Sequence, residues 1–119
     1  MASTVLVVDD DPPFRTLAAR MLKRAGFAVA GEADNARRAI EAVMDLAPAA
    51  VLLDVRLPDQ DGFAVARELA ALPSPPRVVL TSSDPDAATA EMVRRSGAKA
   101  FISKQELTDA RLRSLFAVA

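Results

Sequence analysis

Acidic, hydroxyl and lysine side chains stand at four separate points of this 119-residue sequence, each directly after a short apolar run. The run at 4–8 leads into Asp9–Asp11, and the run at 50–53 leads into Asp54. Two later runs lead into Thr81–Ser83 and into Ser103-Lys104. Clustered carboxylates need a cation to neutralise them, and Mg²⁺ accepts carboxylate oxygens while keeping several waters. A carboxylate there can attack phosphorus, with an ammonium and a hydroxyl supporting the charge, so the residue types suit phosphoryl transfer.

The apolar runs predict the elements that must bring these groups together. Short runs bounded by acids, glycine or proline predict strands at Thr4–Val8, Phe27–Ala30, Ala50–Leu53, Arg77–Leu80 and Ala98–Ile102. Longer amphipathic segments predict helices from Asp11-Pro12 to about Ala25, and at Asp34–Leu46, Gly62–Leu72, Asp86–Arg95 and Glu106–Phe116. The predicted inward residues of the first two helices are Phe14, Leu17, Ala18, Met21 and Leu22, and Ala36, Ala39, Ile40, Val43 and Met44.

Strict alternation of five strands and five helices predicts an α/β fold with a doubly wound parallel sheet. Right-handed crossovers and the short length favour the flavodoxin-like strand order 2-1-3-4-5. Such sheets bind ligands at the carboxyl ends of their strands, near the switch point between strands 1 and 3. The four chemical groups therefore converge on one rim, and the whole chain, residues 1–119, is predicted to be one domain.

The sequence resembles the receiver domains of two-component response regulators. The matching stretches span essentially the entire chain in the expected order, and they are VLVVDD (5–10), LLDVRLPDQDG (52–62), VVLTSSD (78–84) and GAKAFISK (97–104). The resemblance implies a CheY-like version of the flavodoxin-like fold. It also implies phosphorylation of an aspartate by a sensor histidine kinase or phosphotransfer protein, weak self-phosphorylation and autodephosphorylation, and signalling through the face of helix 4, strand 5 and helix 5.

The resemblance assigns a role to each matching residue. Asp54 is the phosphoacceptor, and it binds Mg²⁺ together with Asp9, Asp10 and the backbone carbonyl of Arg56. Three further residues complete the implied machinery, namely Lys104 on the phosphoryl oxygens, Thr81 as the switch hydroxyl and Phe101 as the aromatic switch. Pro58 and Gly62 match the turn into the third helix.

The sequence departs from the family pattern in three ways. Gln105 stands where many members carry a proline directly after the lysine. The segment between Thr81 and Gly97 is about one residue longer than usual, so Ser82 competes with Thr81 for the switch role. Thr81 is favoured because it directly ends the predicted strand. Asp11 is an additional acid that is interpreted chiefly as a helix cap, and Asp59, Asp61 and Ser83 are interpreted as structural or solvent-facing.

Composition limits the function classes. The chain has no cysteine and no histidine, so thiolate chemistry, zinc sites of the usual kind and serine–histidine triads are excluded, and a phosphohistidine donor must be another molecule. A formal charge of -1 gives no reason to expect direct nucleic-acid or membrane binding. The start of the sequence lacks a signal-peptide pattern, which predicts a cytoplasmic protein. The predicted partners are the phosphodonor and either a downstream protein or a fused output domain, and a homodimer stays open.

Two other function classes fit parts of the pattern. A degenerate receiver would serve as a docking module without phosphorylation, and Gln105 with the longer loop keeps that alternative open. A phosphohydrolase of the haloacid-dehalogenase type also places aspartates after strand 1. It requires an Asp-x-Asp-x-Thr/Val pattern, however, and Pro13 occupies the last position here. Phosphorylation that depends on Mg²⁺ separates a receiver from a docking module.

Overall fold

A computed structural model describes residues 3–117. Its strands are β1 (Thr4–Val8), β2 (Ala28–Ala33), β3 (Ala50–Asp54), β4 (Arg77–Ser82) and β5 (Ala100–Ser103). Its α-helices are α1 (Pro12–Arg24), α2 (Ala36–Leu46), α3 (Gly62–Ala70), α4 (Ala90–Ser96) and α5 (Asp109–Phe116), and a 3₁₀ turn covers Lys104–Glu106. The strands pair in parallel in the order β2-β1-β3-β4-β5, which confirms the predicted flavodoxin-like fold. The predicted domain, 1–119, has two residues at each end that lie outside the described residues.

Alternation along the strands divides the core into two layers, because successive side chains point to opposite faces. Leu6 and Leu53 pack on the face covered by α2 and α3, while Val7 and Leu52 pack on the face covered by α1 and α5. All five residues of β3 are buried, as expected for the central strand of a sheet covered on both faces. This burial fixes the position of the strand that ends in Asp54.

Several predicted boundaries were wrong by a few residues. Strand β2 continues to Ala33 rather than ending at Ala30, because its half-exposed edge position gives it no continuous apolar signal. Helix α4 begins at Ala90 rather than Asp86, since the Thr89 hydroxyl accepts the N–H of Met92 and caps the helix there. Helix α5 likewise begins three residues late, after a cap by Thr108 on the N–H of Arg111. Side-chain caps decided both helix starts.

Two predicted core residues lie at the surface. Leu17 is 50% exposed and Met44 is 64% exposed, because the buried stripes of α1 and α2 are narrower than the apolar pattern indicated. Small residues do much of the packing instead, and Ala18, Ala36 and Ala39 are almost completely buried. Among the described residues, no helix combines the length and the apolar character needed to cross a membrane.

Gly62 allows the loop after β3 to turn back against its own strand. Its N–H donates to the carbonyl of Val55 at 2.8 Å, and an added Cβ would lie 2.6 Å from the Val55 Cα and against the Asp54 carbonyl. Neither backbone atom can move without displacing the end of β3. The glycine therefore supports the position of Asp54 through close backbone contact.

We expect Gly62→Ala to lower the free energy of unfolding by about 3 kcal/mol, since it overpacks a fixed backbone. Gly31→Ala is the matched control, because its Cβ would meet the Cδ1 of Leu46 at 3.2 Å, the far end of a flexible side chain. Its cost should stay below about 1 kcal/mol. Urea denaturation measures both, and equal losses would contradict the close-approach argument.

Candidate phosphorylation site

The carboxyl ends of β1, β3, β4 and β5 border one open cavity of about 450 Å³. This convergence follows from the sheet order, because the ends of parallel strands share one edge. The cavity contains nearly all of the polar groups that the sequence placed after strands. Its lining residues are Asp9, Asp10, Asp11, Asp54, Arg56, Ser82, Ser83, Asp84 and Lys104.

Asp54 is held at the floor of the cavity by two directed contacts. Its Oδ1 accepts the backbone N–H of Arg56 at 2.9 Å, and its Oδ2 accepts from the Lys104 Nζ at 3.1 Å. The residue is 94% buried by the end of the central strand, but it still lines the cavity. A carboxylate in this position is oriented and open to a reactant from one side only.

Asp9 and Lys104 form the second ion pair of the site. Asp9 is completely buried, and its Oδ1 accepts the N–H of Asp11 at 2.9 Å. Its Oδ2 lies 2.7 Å from the Lys104 Nζ, but it receives no well-directed hydrogen bond from the described residues. Burial raises the pKa of the Asp9 carboxyl, and the ammonium offsets this only in part. Burial alone would lower the pKa of Lys104, yet its hydrogen bond and ion pairs with Asp9 and Asp54 raise it.

The carboxylates of Asp9, Asp10 and Asp54 fit a divalent cation. One oxygen from each lies within 4.8 Å of the others, and the buried Oδ2 of Asp9 lacks a directed donor among the described residues. Three carboxylates against one ammonium leave two negative charges, and oxygen donors of this kind suit Mg²⁺. The N–H of Arg56 donates to Asp54 and its side chain extends to Asp84 at 3.8 Å, while its carbonyl as a metal ligand stays a prediction.

The structure places the Thr81 hydroxyl outside the predicted site. Strand β4 continues through Ser82, so Thr81 does not end the strand as the sequence prediction assumed. Thr81 is fully buried, and its Oγ1 donates to the carbonyl of Ile102 at 2.7 Å. Ser82 lines the cavity instead, with its Oγ accepting the N–H of Asp84 at 3.1 Å. The reason for preferring Thr81 was therefore wrong, and of these two residues Ser82 is the one that lines the cavity.

Phe101 lies on β5, half-buried against the core layer of α2 and α3. It lines a separate groove of about 530 Å³ between α4 and β5 with Ala88, Thr89, Ala90, Val93, Arg94, Ala98 and Lys99. In the register of β4 with β5, Leu80 pairs with Phe101 and Ser82 pairs with Ser103. Residues two apart share a face, so Ser82 and Phe101 lie on the same side of the sheet. Thr81 lies on the other side, with Asp54.

Two acids expected to be structural anchor the loop that follows Asp54. Asp61 caps α3 by accepting the N–H groups of Phe63 and Ala64. Asp59 accepts the N–H groups of Ala36 and Arg37 at 2.8 and 3.1 Å, so it caps α2 from a distant part of the chain. The pKa of the Asp59 carboxyl is lowered, chiefly because the carboxylate accepts the hydrogen bond from Ala36. Asp11 occupies the N-cap position of α1, where the sequence placed it, but its side chain makes no cap hydrogen bond.

Gln105, the residue that departs from the family pattern, joins two loops beside the cavity. Its Nε2 donates to the carbonyl of Ser83 at 2.7 Å, and no peptide bond among residues 3–117 is cis. Sequence reasoning treated Gln105 only as the loss of a proline. Its loop-to-loop contact had no sequence signal, because an amide side chain can reach many backbone groups.

Comparison with known proteins identifies the class to which this fold and site belong. A family model described as "Response regulator receiver domain" matches residues 5–116. The chain therefore belongs to the response regulator receiver family, and the predicted resemblance is confirmed. Members of this family are signalling modules rather than enzymes in the usual sense.

Individual relatives agree with this assignment. The chain is 32% identical over 104 residues to the chemotaxis protein CheY of Thermotoga maritima, covering 87% of each chain. It is 33% identical over 106 residues to BvgA of Bordetella pertussis, whose name describes a regulator of transcription, covering 89% of this chain and 51% of BvgA. The chain thus spans about half the length of that relative. The response regulator domain of Thermotoga maritima CheB superimposes with a TM-score of 0.81 at 25% identity, covering 100% of this chain and 99% of that domain.

We expect Mg²⁺ to stabilise the protein against unfolding, because only the folded state assembles the three carboxylates. At a concentration one hundred times its dissociation constant, the gain should be about 2.7 kcal/mol. Asp10→Asn should remove most of this gain at the same concentration, while its exposed position keeps the fold intact. Asp11→Asn is the matched control and should keep the gain, since Asp11 is outside the ligand triplet. Thermal or urea unfolding with and without Mg²⁺ measures the gain in each variant. If Asp10→Asn and Asp11→Asn lose the same part of the Mg²⁺-dependent stabilisation, the assignment is contradicted.

Proposed function

We propose that this chain is a phosphoryl-accepting switch of a two-component system, with Asp54 as the phosphorylated residue. The observation that carries the proposal is the Asp54 carboxylate itself, which is buried, contacted by Lys104 and grouped with two further acids. The proposed donor is a phosphohistidine on a sensor histidine kinase or phosphotransfer protein, and the sequence given contains no histidine that could take its place.

The proposed reaction transfers the phosphoryl group in line from nitrogen to oxygen. A carboxylate oxygen of Asp54 attacks phosphorus, the P–N bond breaks, and the electron pair leaves with the imidazole of the donor. Lys104 moves one of its hydrogen bonds from Asp54 to a phosphoryl oxygen. Its positive charge then offsets the negative charge of that oxygen. When bound at the triplet, Mg²⁺ would neutralise phosphoryl oxygens, with Asp9, Asp10, Asp54 and the carbonyl of Arg56 as its protein ligands.

The proposed switch hydroxyl is that of Ser82, which replaces Thr81 in this role. Ser82 Oγ borders the cavity and shares a sheet face with Phe101. A hydrogen bond from Ser82 to the phosphoryl group would draw the loop after β4 inward and open space for the ring of Phe101. The groove between α4 and β5 would change shape, and the face formed by α4, β5 and α5 would report phosphorylation.

The energy required for such a switch is modest. Shifting a two-state equilibrium from 1:99 to 99:1 needs about 5.5 kcal/mol of differential stabilisation. A hydrogen bond to a charged group contributes about 1.5 to 3 kcal/mol. Two new contacts of this kind would supply about 3 to 6 kcal/mol. The Ser82 contact would be one of them, whereas the Lys104 contact replaces its existing hydrogen bond to Asp54 and adds little.

The partners proposed for this output are proteins. The face formed by α4, β5 and α5 is proposed to contact either a separate downstream protein or a fused output domain, as the half-length match to BvgA allows. A homodimer through the same face is also consistent with the proposal. The near-neutral charge favours protein contacts over direct nucleic-acid or membrane binding by this domain, in the cytoplasm where two-component phosphodonors act. Slow self-phosphorylation and hydrolysis of the acyl phosphate complete the proposal.

The phosphorylation site is tested by incubating the protein with acetyl phosphate, with and without Mg²⁺, and measuring intact mass. We expect one phosphoryl adduct that requires Mg²⁺ and is absent from Asp54→Asn. Asp61→Asn is the control carboxylate, because it caps α3 without touching the cavity, and it should still form the adduct. If a cognate kinase or phosphotransfer protein also gives no adduct and Mg²⁺ does not bind, the chain is a docking module instead.

The switch assignment is tested with Ser82→Ala and Thr81→Ala. We expect Ser82→Ala to accept the phosphoryl group but to lose the change at α4 and β5, measured as amide chemical-shift differences on phosphorylation. Thr81→Ala should keep that change and instead lower the free energy of unfolding by about 1 kcal/mol, since it loses a buried hydrogen bond. The reverse pattern would restore Thr81 as the switch residue.

A further inference from the structure

The ring of Phe14 lies directly beneath the ammonium of the phosphorylation site. The Nζ of Lys104 is 4.2 Å from the centre of this ring. A cation within about 6 Å of an aromatic face is attracted by the ring quadrupole. We propose that Phe14 is a positioning residue of the site, holding the Lys104 ammonium between the carboxylates by a cation–π contact. This inference rests on the proposed function.

Shielding from water makes this contact stronger than a surface pair. The side chain of Lys104 is 15% exposed, and Phe14 is 8% exposed. Cation–π contacts contribute about 0.5–1 kcal/mol at exposed sites and about 2 when desolvated. Phe14 also belongs to the core layer of α1 and α5, so one part of the ring packs on apolar residues while its face meets the charge.

The ring supplies a kind of stabilisation that the carboxylates cannot. Asp9 and Asp54 hold the Nζ at 2.7 and 3.1 Å, but each carries a full negative charge that repels an incoming phosphoryl group. The aromatic face attracts the ammonium without a formal charge. It therefore keeps Lys104 in place while the hydrogen bond to Asp54 is exchanged for one to a phosphoryl oxygen.

Local structure fixes the ring in this position. Pro12 and Pro13 begin α1, where proline is tolerated because the first N–H groups have no helical partner. One residue beyond Phe14, the Arg15 Nη1 donates to the carbonyl of Asp9 at 2.7 Å and its Nε donates to Glu32 at 3.0 Å. The first turn of α1 is thereby tied to the end of β1, so the ring and the acids are held as one unit.

The test replaces Phe14 with phenylalanines that carry one, two and three ring fluorines, which weaken the quadrupole in steps at nearly constant shape. We expect the rate of Mg²⁺-dependent phosphorylation by acetyl phosphate to fall in step with the number of fluorines, by roughly threefold or more across the series. The same replacements at Phe116 are the matched control. That ring is buried in the same core layer and packs edge-on against Phe27, so its series should be flat.

A second measurement detects the contact itself. The NMR signals of the Lys104 ε-methylene should be shifted upfield by the ring current in the unmodified protein, and Phe14→Leu should abolish that shift. If the wild type is phosphorylated but the rate stays flat or rises as fluorines are added to Phe14, this inference alone is overturned. The same holds if the Lys104 ε-methylene signals show no upfield shift. A wild type that accepts no phosphoryl group from any donor would overturn the proposed function, and this inference with it.

Discussion

The site depends on one ammonium shared between two buried carboxylates. Lys104 approaches both Asp9 and Asp54 within about 3 Å, and without it neither of these two carboxylates would have an ion-pair partner among the described residues. Even with it, two negative charges remain uncompensated at the triplet. The protein is therefore folded around a site that attracts positive charge, and the desolvation of Asp9 is the energetic cost of that arrangement. Such a site is suited to a divalent cation.

The alternation of side chains along β3, β4 and β5 places Asp54 and the groove beside α4 on opposite faces of the sheet. Asp54 and Thr81 pair across β3 and β4 on the face of α1 and α5, and the hydroxyl of Thr81 is used to secure β5. Ser82 turns to the opposite face, where Phe101 and the groove beside α4 lie. A shift of one residue along β4 therefore decides whether a hydroxyl bonds to β5 or lies on the side of the groove beside α4.

The sequence was sufficient for the sheet order and for the convergence of the acids with Lys104, because both follow from strand alternation and from the rule that parallel strands share an edge. It failed where a single tertiary contact decided the outcome. Ser82 could not be separated from Thr81, since both follow the same apolar run and the end of β4 is set by pairing with β5. Phe14 reads as an ordinary core residue, and its contact with Lys104 joins residues 90 positions apart in the chain. Gln105 and Asp59 likewise act on distant backbone groups that have no sequence signature.

The loops around the cavity are attached differently from the strands beneath them. Gln105 holds the loop after β4 through the carbonyl of Ser83, and Asp59 holds the loop after β3 through the first N–H groups of α2. Each of these loops is held by the contacts of a single side chain, whereas β3 is fixed by the burial of all five of its residues. The floor of the cavity is therefore held by many packed residues, and its rim by a few side-chain contacts. This contrast would let the proposed phosphoryl group on Asp54 alter the surface near α4 without disturbing the sheet.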